Sequence, residues 1–325
     1  MTGFAQQGKR VVRSIVGVCL DRVSTLISAP LRDEAERLKL QLGALQSRLV
    51  QKEIYQSIRD AEFRVFSQNG EDGIIQYLLT KIAVDTPTFV EIGVEDYSES
   101  NTRFLLMNNY WHGLIIDAGT QHLNYLRHHN LGWQFNIDAV STFVTCANIN
   151  DVLRNAGISG DIGLLSIDID GNDYWVLDAV NAISARIVVV EYNSVFGPTA
   201  AVTVPYNPAF RRSQAHYSNL YYGASLCALA TLMEQKGYGL VGSNRAGNNA
   251  FFLRNDVLGD IPTVTPAESY VSSSFRESRS RDGSLSYVGP MKLRLNEIGE
   301  LPVVDIRRNV TLSVREAVLQ PRMEK

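Results

Sequence analysis

The sequence predicts an α/β protein built on a Rossmann-like, mostly parallel sheet that closes in an antiparallel hairpin and carries an N-terminal helical extension. Three observations lead there. Between residues 61 and 260, short apolar runs alternate with stretches of helical spacing, as parallel strands joined by crossover helices require. Ile187-Val-Val-Val190 has no polar face, which suits a strand covered on both sides. Finally, Tyr238–Val241 and Ala250–Leu253 flank the turn-forming stretch Gly242-Ser-Asn-Arg-Ala-Gly-Asn-Asn249, so the last two strands form a hairpin.

The elements follow in order. Strands are expected at Thr88–Ile92, Gly113–Asp117, Gln134–Ala139, Ile162–Ile169 and Arg186–Glu191. Helical spacing falls between them on Ser100–Asn109, Gln121–Asn130, Ile149–Ala156 and Trp175–Ala182. Residues 1–60 are a separate helical extension. There Val11, Val12, Ile15, Val16, Leu20, Val23 and Ile27 recur at three- and four-residue steps until Pro30 breaks the pattern. Ala35, Leu38, Leu42, Leu45 and Leu49 then alternate steps of three and four, the seam of a helix that pairs with another. A homo-oligomer joined through these helices is the expectation; residues 9–27, basic and amphipathic, also suit an anionic membrane surface. Residues 261–325 form a C-terminal appendage in which the polar stretch 272–281 reads as a loop.

Composition narrows the function classes. The 325 residues are 45% hydrophobic and 20% charged, an ordinary globular balance with room for one large domain or two modest ones. A net charge of −3 gives no basic footprint for nucleic acid. The apolar run Ser14–Leu20 is stopped by Asp21 and Arg22, too soon to span a bilayer. Cys19, Cys146 and Cys227 lie far apart without a CxxC, which predicts reduced thiols in a cytoplasmic protein, peripheral at most to the inner face of a membrane. The charge is uneven. Residues 1–60 hold 10 Lys/Arg against 6 Asp/Glu and residues 261–325 hold 10 against 8, which leaves the middle at −9. An acidic middle suits a cationic ligand or a divalent metal better than a polyphosphate.

Open α/β sheets bind ligands beyond the carboxyl ends of their strands, and the acids of this chain gather there. The first strand runs into Phe89-Val-Glu-Ile-Gly-Val-Glu-Asp-Tyr-Ser-Glu-Ser-Asn101. Gly93 lets the backbone turn sharply against a ligand, the next helix offers free N–H groups to an anion, and Glu91 stands to receive an ammonium. The missing GxGxxG and the acids Glu95 and Asp96 speak against a pyrophosphate, and so against a nicotinamide-dependent oxidoreductase. Asp117, 24 residues beyond Gly93, ends the second strand where an acid holds a ribose diol. Asp138, on the third strand, stands to accept from an adenine amino group.

The densest cluster, Leu164-Leu-Ser-Ile-Asp-Ile-Asp-Gly-Asn-Asp173, brings Asp168 and Asp170 to the end of the fourth strand, and Glu191-Tyr-Asn193 ends the fifth. Carboxylates so crowded need a cation or a shared proton. Asp168, Glu191 and Asn193 offer oxygen ligands to a hard divalent cation such as Mg²⁺, which would acidify a bound hydroxyl. Asp168 and Asp170 are the candidate catalytic acids. The long segment after the fifth strand mixes Pro, Tyr and Arg around Phe210-Arg-Arg212, as an ordered loop over a polar substrate would. His216, the one histidine there, is a candidate general base.

Together these residues resemble the FkbM-like SAM-dependent methyltransferases (SAM, S-adenosylmethionine). The resemblance lies in Ser67-Gln-Asn-Gly-Glu-Asp-Gly73, Val90-Glu-Ile-Gly93, Ser100-Asn-Thr102, Gly113-Leu-Ile-Ile-Asp117, Leu165-Ser-Ile-Asp-Ile-Asp-Gly-Asn-Asp173 and Val190-Glu-Tyr-Asn193. It covers residues 61–260 and implies a SAM methyltransferase fold, with cofactor contacts from Gln68, Glu91, Gly93, Asn101, Asp117, Asp138 and Asp168. It further implies an O-methyltransferase acting on a hydroxyl of a sugar, glycan precursor or other small polar metabolite. In a related group of sugar and catechol O-methyltransferases a metal lies between an acid after the fourth strand and a pair after the fifth, positions that Asp168, Glu191 and Asn193 match. The chain departs from that group at Gly171, where a Lys or His is expected. A non-catalytic scaffold of the same fold is the competing reading, and it predicts no SAM binding.

Overall fold

The computed structural model describes residues 31, 34–274 and 277–319, so the basic stretch at 9–27 and Cys19 lie outside the described residues. The chain divides into two compact units, residues 1–45 and 46–325. In the first, residues 34–45 are helical. The seam read from their spacing is solvent-facing: Leu38, Leu42 and Leu45 are 52%, 61% and 54% exposed.

The second unit is organised by a seven-stranded sheet. Its strands are β1 (Thr88–Ile92), β2 (His112–Asp117), β3 (Ile137–Ser141), β4 (Gly160–Ile167), β5 (Ile183–Glu191), β7 (Tyr238–Ser243) and β8 (Asn249–Arg254). They lie in the order β3-β2-β1-β4-β5-β8-β7. The first five are parallel, while β8 runs antiparallel to both β5 and β7. Every residue of β1 is buried, as are Ile187 to Val190 of β5, so helices cover both faces and the all-apolar runs find their reason. Each fully buried Leu, Ile, Val or Phe contributes about 1.5–3 kcal/mol of apolar burial, which is what holds strands with so little polar patterning in place.

Two arginines pin the sheet at the edge opposite its carboxyl ends. Arg186 on β5 and Arg254 on β8 each reach Asp161 on β4 at 2.6 Å. Bonds from Arg186 and Arg254 hold the Asp161 carboxyl below its usual range.

Residues after 260 extend this unit. β9 (Pro302–Asp305) pairs antiparallel with β10 (Val310–Ser313) and with the short β6 (Val202–Thr203). Val303, Ile298 and Val314 bury themselves against Phe196, Val202 and Val204, which fixes the segment following β5.

Element boundaries depart from the sequence pattern in two informative places. Residues 131–134 make a helical turn rather than the start of the third strand, because Asn130 takes a left-handed φ of 54° and Leu131 is buried; β3 begins at Ile137 and ends at Ser141. The helix after β4 starts at Asp173, two residues earlier than its spacing indicates. Asp173 accepts the N–H groups of Ile169 and Gly171 at 2.8 and 2.9 Å and so closes the turn that begins it.

Candidate functional site

A cavity of about 790 Å³ opens at the carboxyl ends of β1, β2, β4 and β5. Three turns build its floor. At the end of β1, Gly93 has φ +86°, and a Cβ on it would stand 1.6 Å from the carbonyl oxygen of Asp168; only glycine lets β1 and β4 approach so closely. The amide of Gly93 donates to Ile116 O at 2.9 Å and that of Asp168 to Ile92 O at 2.9 Å, stitching three strand ends together. At the end of β2, Asp117 is held by two backbone donors: Oδ2 accepts from Glu95 N at 2.9 Å and Oδ1 from Gly119 N at 2.7 Å. Both oxygens keep lone pairs for a ligand, the arrangement that a ribose diol needs.

The Ser67–Gly73 motif forms one wall by using its own acids. Asp72 Oδ2 accepts from the amides of Val65, Phe66 and Ser67, each at 2.8 Å. Glu71 takes Asn69 N at 2.8 Å, Asn244 Nδ2 at 2.6 Å and Asn249 Nδ2 at 2.9 Å. With the loop so braced, Gln68 and Asn69 line the cavity. Burial pushes the Asp72 carboxyl up to about 6. Glu91 also lines the cavity, but its carboxylate holds the segment 100–102, accepting from Ser100 Oγ at 2.5 Å, Asn101 N at 2.9 Å and Thr102 N at 3.2 Å. Asn101 lines the cavity too, and its side chain donates to Ser166 at 3.1 Å.

The acidic edge forms another wall. Carboxylate oxygens of Asp168, Asp170 and Glu191 lie within 4.8 Å of one another. Burial first, then the charge of neighbouring carboxyls, pushes both Asp168 and Glu191 well above the ordinary carboxylate range. The cation that meets this cluster is Arg212, whose Nη1 lies 2.5 Å from Asp170 Oδ1. Arg212 Nε donates to Asn219 O at 2.7 Å, and its guanidinium lies 4.0 Å from the centre of the Tyr222 ring. Phe210 stands beside it in the cavity, with its ring occupying the space that a Cβ on Gly171 would need. Among the described residues, nine carboxylates and two arginines line the cavity.

Of the residues singled out in the sequence, Gln68, Glu91, Gly93, Asn101, Asp117, Asp168, Asp170 and Glu191 meet in this cavity. Three do not. Asp138 sits one residue into β3 and bonds His112 at the start of β2, at 3.1 Å, near the opposite edge of the sheet. The shifted strand instead delivers Thr142 and Phe143 to the cavity. Asn193 is buried and spent on structure: Nδ2 donates to Leu220 O and Tyr222 O at 3.0 Å, and Oδ1 caps the following turn through Val195 N. It lines no part of the cavity and leaves the metal-ligand set to carboxylates. His216 bonds Ser218 Oγ at 2.8 Å outside the cavity, and burial lowers its pKa. The segment that carries it contributes Phe210 and Arg212 instead, whose signal was the aromatic and basic run at Phe210-Arg-Arg212.

Among solved structures, similar chains include a SAM-dependent methyltransferase from Clostridium acetobutylicum (11% identity, 38% of this chain and 51% of that one, TM-score 0.27). Others are the mitomycin 7-O-methyltransferase MmcR (14% identity, 57% of each chain, TM-score 0.34) and a putative O-methyltransferase from Klebsiella pneumoniae (13% identity, 66% and 88%, TM-score 0.32). The chain spans about half the length of the first of these. No family model and no curated protein matches it. The fold rests on the strand order and directions themselves. A sheet ordered β3-β2-β1-β4-β5-β8-β7, with β8 alone reversed, is the Rossmann-like fold of SAM-dependent methyltransferases.

Proposed function

We propose that the protein is an FkbM-like, SAM-dependent O-methyltransferase acting on a small polar metabolite such as a sugar or glycan precursor. The observation that carries this reading is the pairing of Gly93 and anchored Asp117 on adjacent strand ends, with the carboxylates of Asp168, Asp170 and Glu191 at the ends of β4 and β5 beside them. When bound, SAM supplies an electrophilic methyl on a sulfonium. Asp117 binds the ribose. Gly93 and the segment after it let the methionyl end lie against the backbone. The excess of carboxylates favours the sulfonium cation electrostatically. Asp168, partly buried and raised in pKa by burial and by its neighbours' charge, is placed to take the proton of the attacking hydroxyl. Phe210 and Arg212 hold the acceptor against that edge, and orientation provides much of the acceleration.

Metal assistance is a second reading, favoured by the three carboxylates of Asp168, Asp170 and Glu191. Arg212 already neutralises part of that cluster, so transfer without a metal is the preferred form. Calorimetry with S-adenosylhomocysteine, with and without Mg²⁺, tests both. One site of equal affinity in the two conditions is expected. Absence of binding overturns the proposal, and a strong Mg²⁺ requirement restores the metal.

A further inference from the structure

Among the described residues, three buried oxygens in the cavity have no hydrogen-bond partner: Glu191 Oε2, Asn249 Oδ1 and Asn172 Oδ1. The three residues are 6%, 4% and 3% exposed, and all line the cavity. For the two amides the polarity is fixed by chemistry. The Asn249 amide nitrogen donates to Glu71 Oε1 at 2.9 Å, and that of Asn172 donates to Asn207 O at 2.8 Å. Both partners accept only, so neither amide can be turned round and the free atom on each is an acceptor. Glu191 and Asn249 are register partners across β5 and β8, which places their side chains together on one face. A buried acceptor left without a donor costs about 1–3 kcal/mol, and the Glu191 and Asn249 acceptors, side by side, call for a ligand that donates.

The surroundings say which donor. Among the described residues nine carboxylates face two arginines in the cavity, and both arginines are already paired, Arg64 with Glu99 and Arg212 with Asp170, each at 2.5 Å. An anionic group would be repelled. A hydroxyl would bring one donor and turn its lone pairs toward oxygens. A protonated amine brings three donors, no acceptor and a positive charge. Building on the methyltransferase reading, we propose that Glu191 and Asn249 receive the ammonium group of an amine-bearing acceptor, such as an amino sugar, and select it over neutral or acidic analogues. The cofactor has an ammonium of its own, but β5 and β8 lie two and three strands from β1, about 10 and 14 Å at the usual strand spacing. The wall therefore serves the acceptor.

The test begins with S-adenosylhomocysteine binding; its absence would sink the methyltransferase reading before the acceptor is addressed. On the loaded protein, glucosamine, glucose and N-acetylglucosamine are then titrated, as probes that differ only at one nitrogen or oxygen. Glucosamine is expected to bind at least about tenfold more tightly than either of the others. In the near-isosteric Glu191→Gln protein, and in Asn249→Leu, that preference should vanish. Equal affinity for the three sugars, or a preference that survives both substitutions, overturns the assignment. Displacement of glucosamine by Mn²⁺ at lower concentration would show that the wall takes a metal, and overturns it too.

Discussion

Removing the Asp117 carboxylate separates ligand binding from folding at one position. In Asp117→Ala the ribose loses its acceptor, and the loops at Glu95 and Gly119 lose donor partners at 2.9 and 2.7 Å. The second loss touches the fold. Both amides sit at a partly exposed edge where water can replace the carboxylate, so the cost in stability is about 1–2 kcal/mol. The first loss touches only the complex. Hydrogen bonds from a ribose diol to a charged acceptor are worth about 1.5–3 kcal/mol, or about 10- to 150-fold in Kd. Calorimetric titrations with S-adenosylhomocysteine and with adenosine make the comparison, because both ligands carry the same ribose. Both affinities should fall by the same factor in a protein that still unfolds cooperatively. Unchanged affinity for S-adenosylhomocysteine, or a loss that spares adenosine, would refute the placement of the ribose.

Three further outcomes follow from the same geometry. Asp168→Asn should lower kcat by about 100-fold or more while leaving S-adenosylhomocysteine affinity within about twofold, and EDTA should leave the parent protein active; full activity in the variant would remove Asp168 from the chemistry. The buried Asp173 carboxyl, raised to about 6, binds its proton more tightly in the folded than in the unfolded chain. Its contribution is present below the ordinary value near 4 and is lost as pH rises through about 6, on the order of 2–3 kcal/mol. Urea unfolding across that window should show the loss in the parent and not in Asp173→Asn; equal slopes would contradict it. Replacing exposed Leu42 and Leu45 by Glu should convert an oligomer into a monomer in sedimentation velocity, and an unchanged mass would mean that the seam joins no second copy.

Much of this architecture was legible because the signals were local. Apolar runs buried on both faces announce β1, β2, β4 and β5, and the glycine and acid at the ends of β1 and β2 mark the ligand edge. What failed to show depended on register or on distant partners. Asp138 reads as a strand-end acid only if β3 ends there; Asn130 and Leu131 shift the strand by a few residues and send the side chain to His112. Asn193 has the composition of a ligand, yet its amide is taken by Leu220 and Tyr222, some 30 residues on in the chain. His216 and Arg212 share one loop, and only the packing of that loop decides which of them enters the cavity. Asn249 reads as turn filler until β8 is laid beside β5 and pairs it with Glu191.

In the proposed function a SAM-type cofactor lies across the ends of β1 and β2 with its sulfur turned toward the acidic edge. A crystal structure with S-adenosylhomocysteine tests it most directly. Both ribose hydroxyls are expected within hydrogen-bonding distance of Asp117, the methionyl backbone against Gly93, and the sulfur facing Asp168 and Glu191. A ribose held elsewhere, or a sulfur pointing away from those two carboxyls, would contradict it.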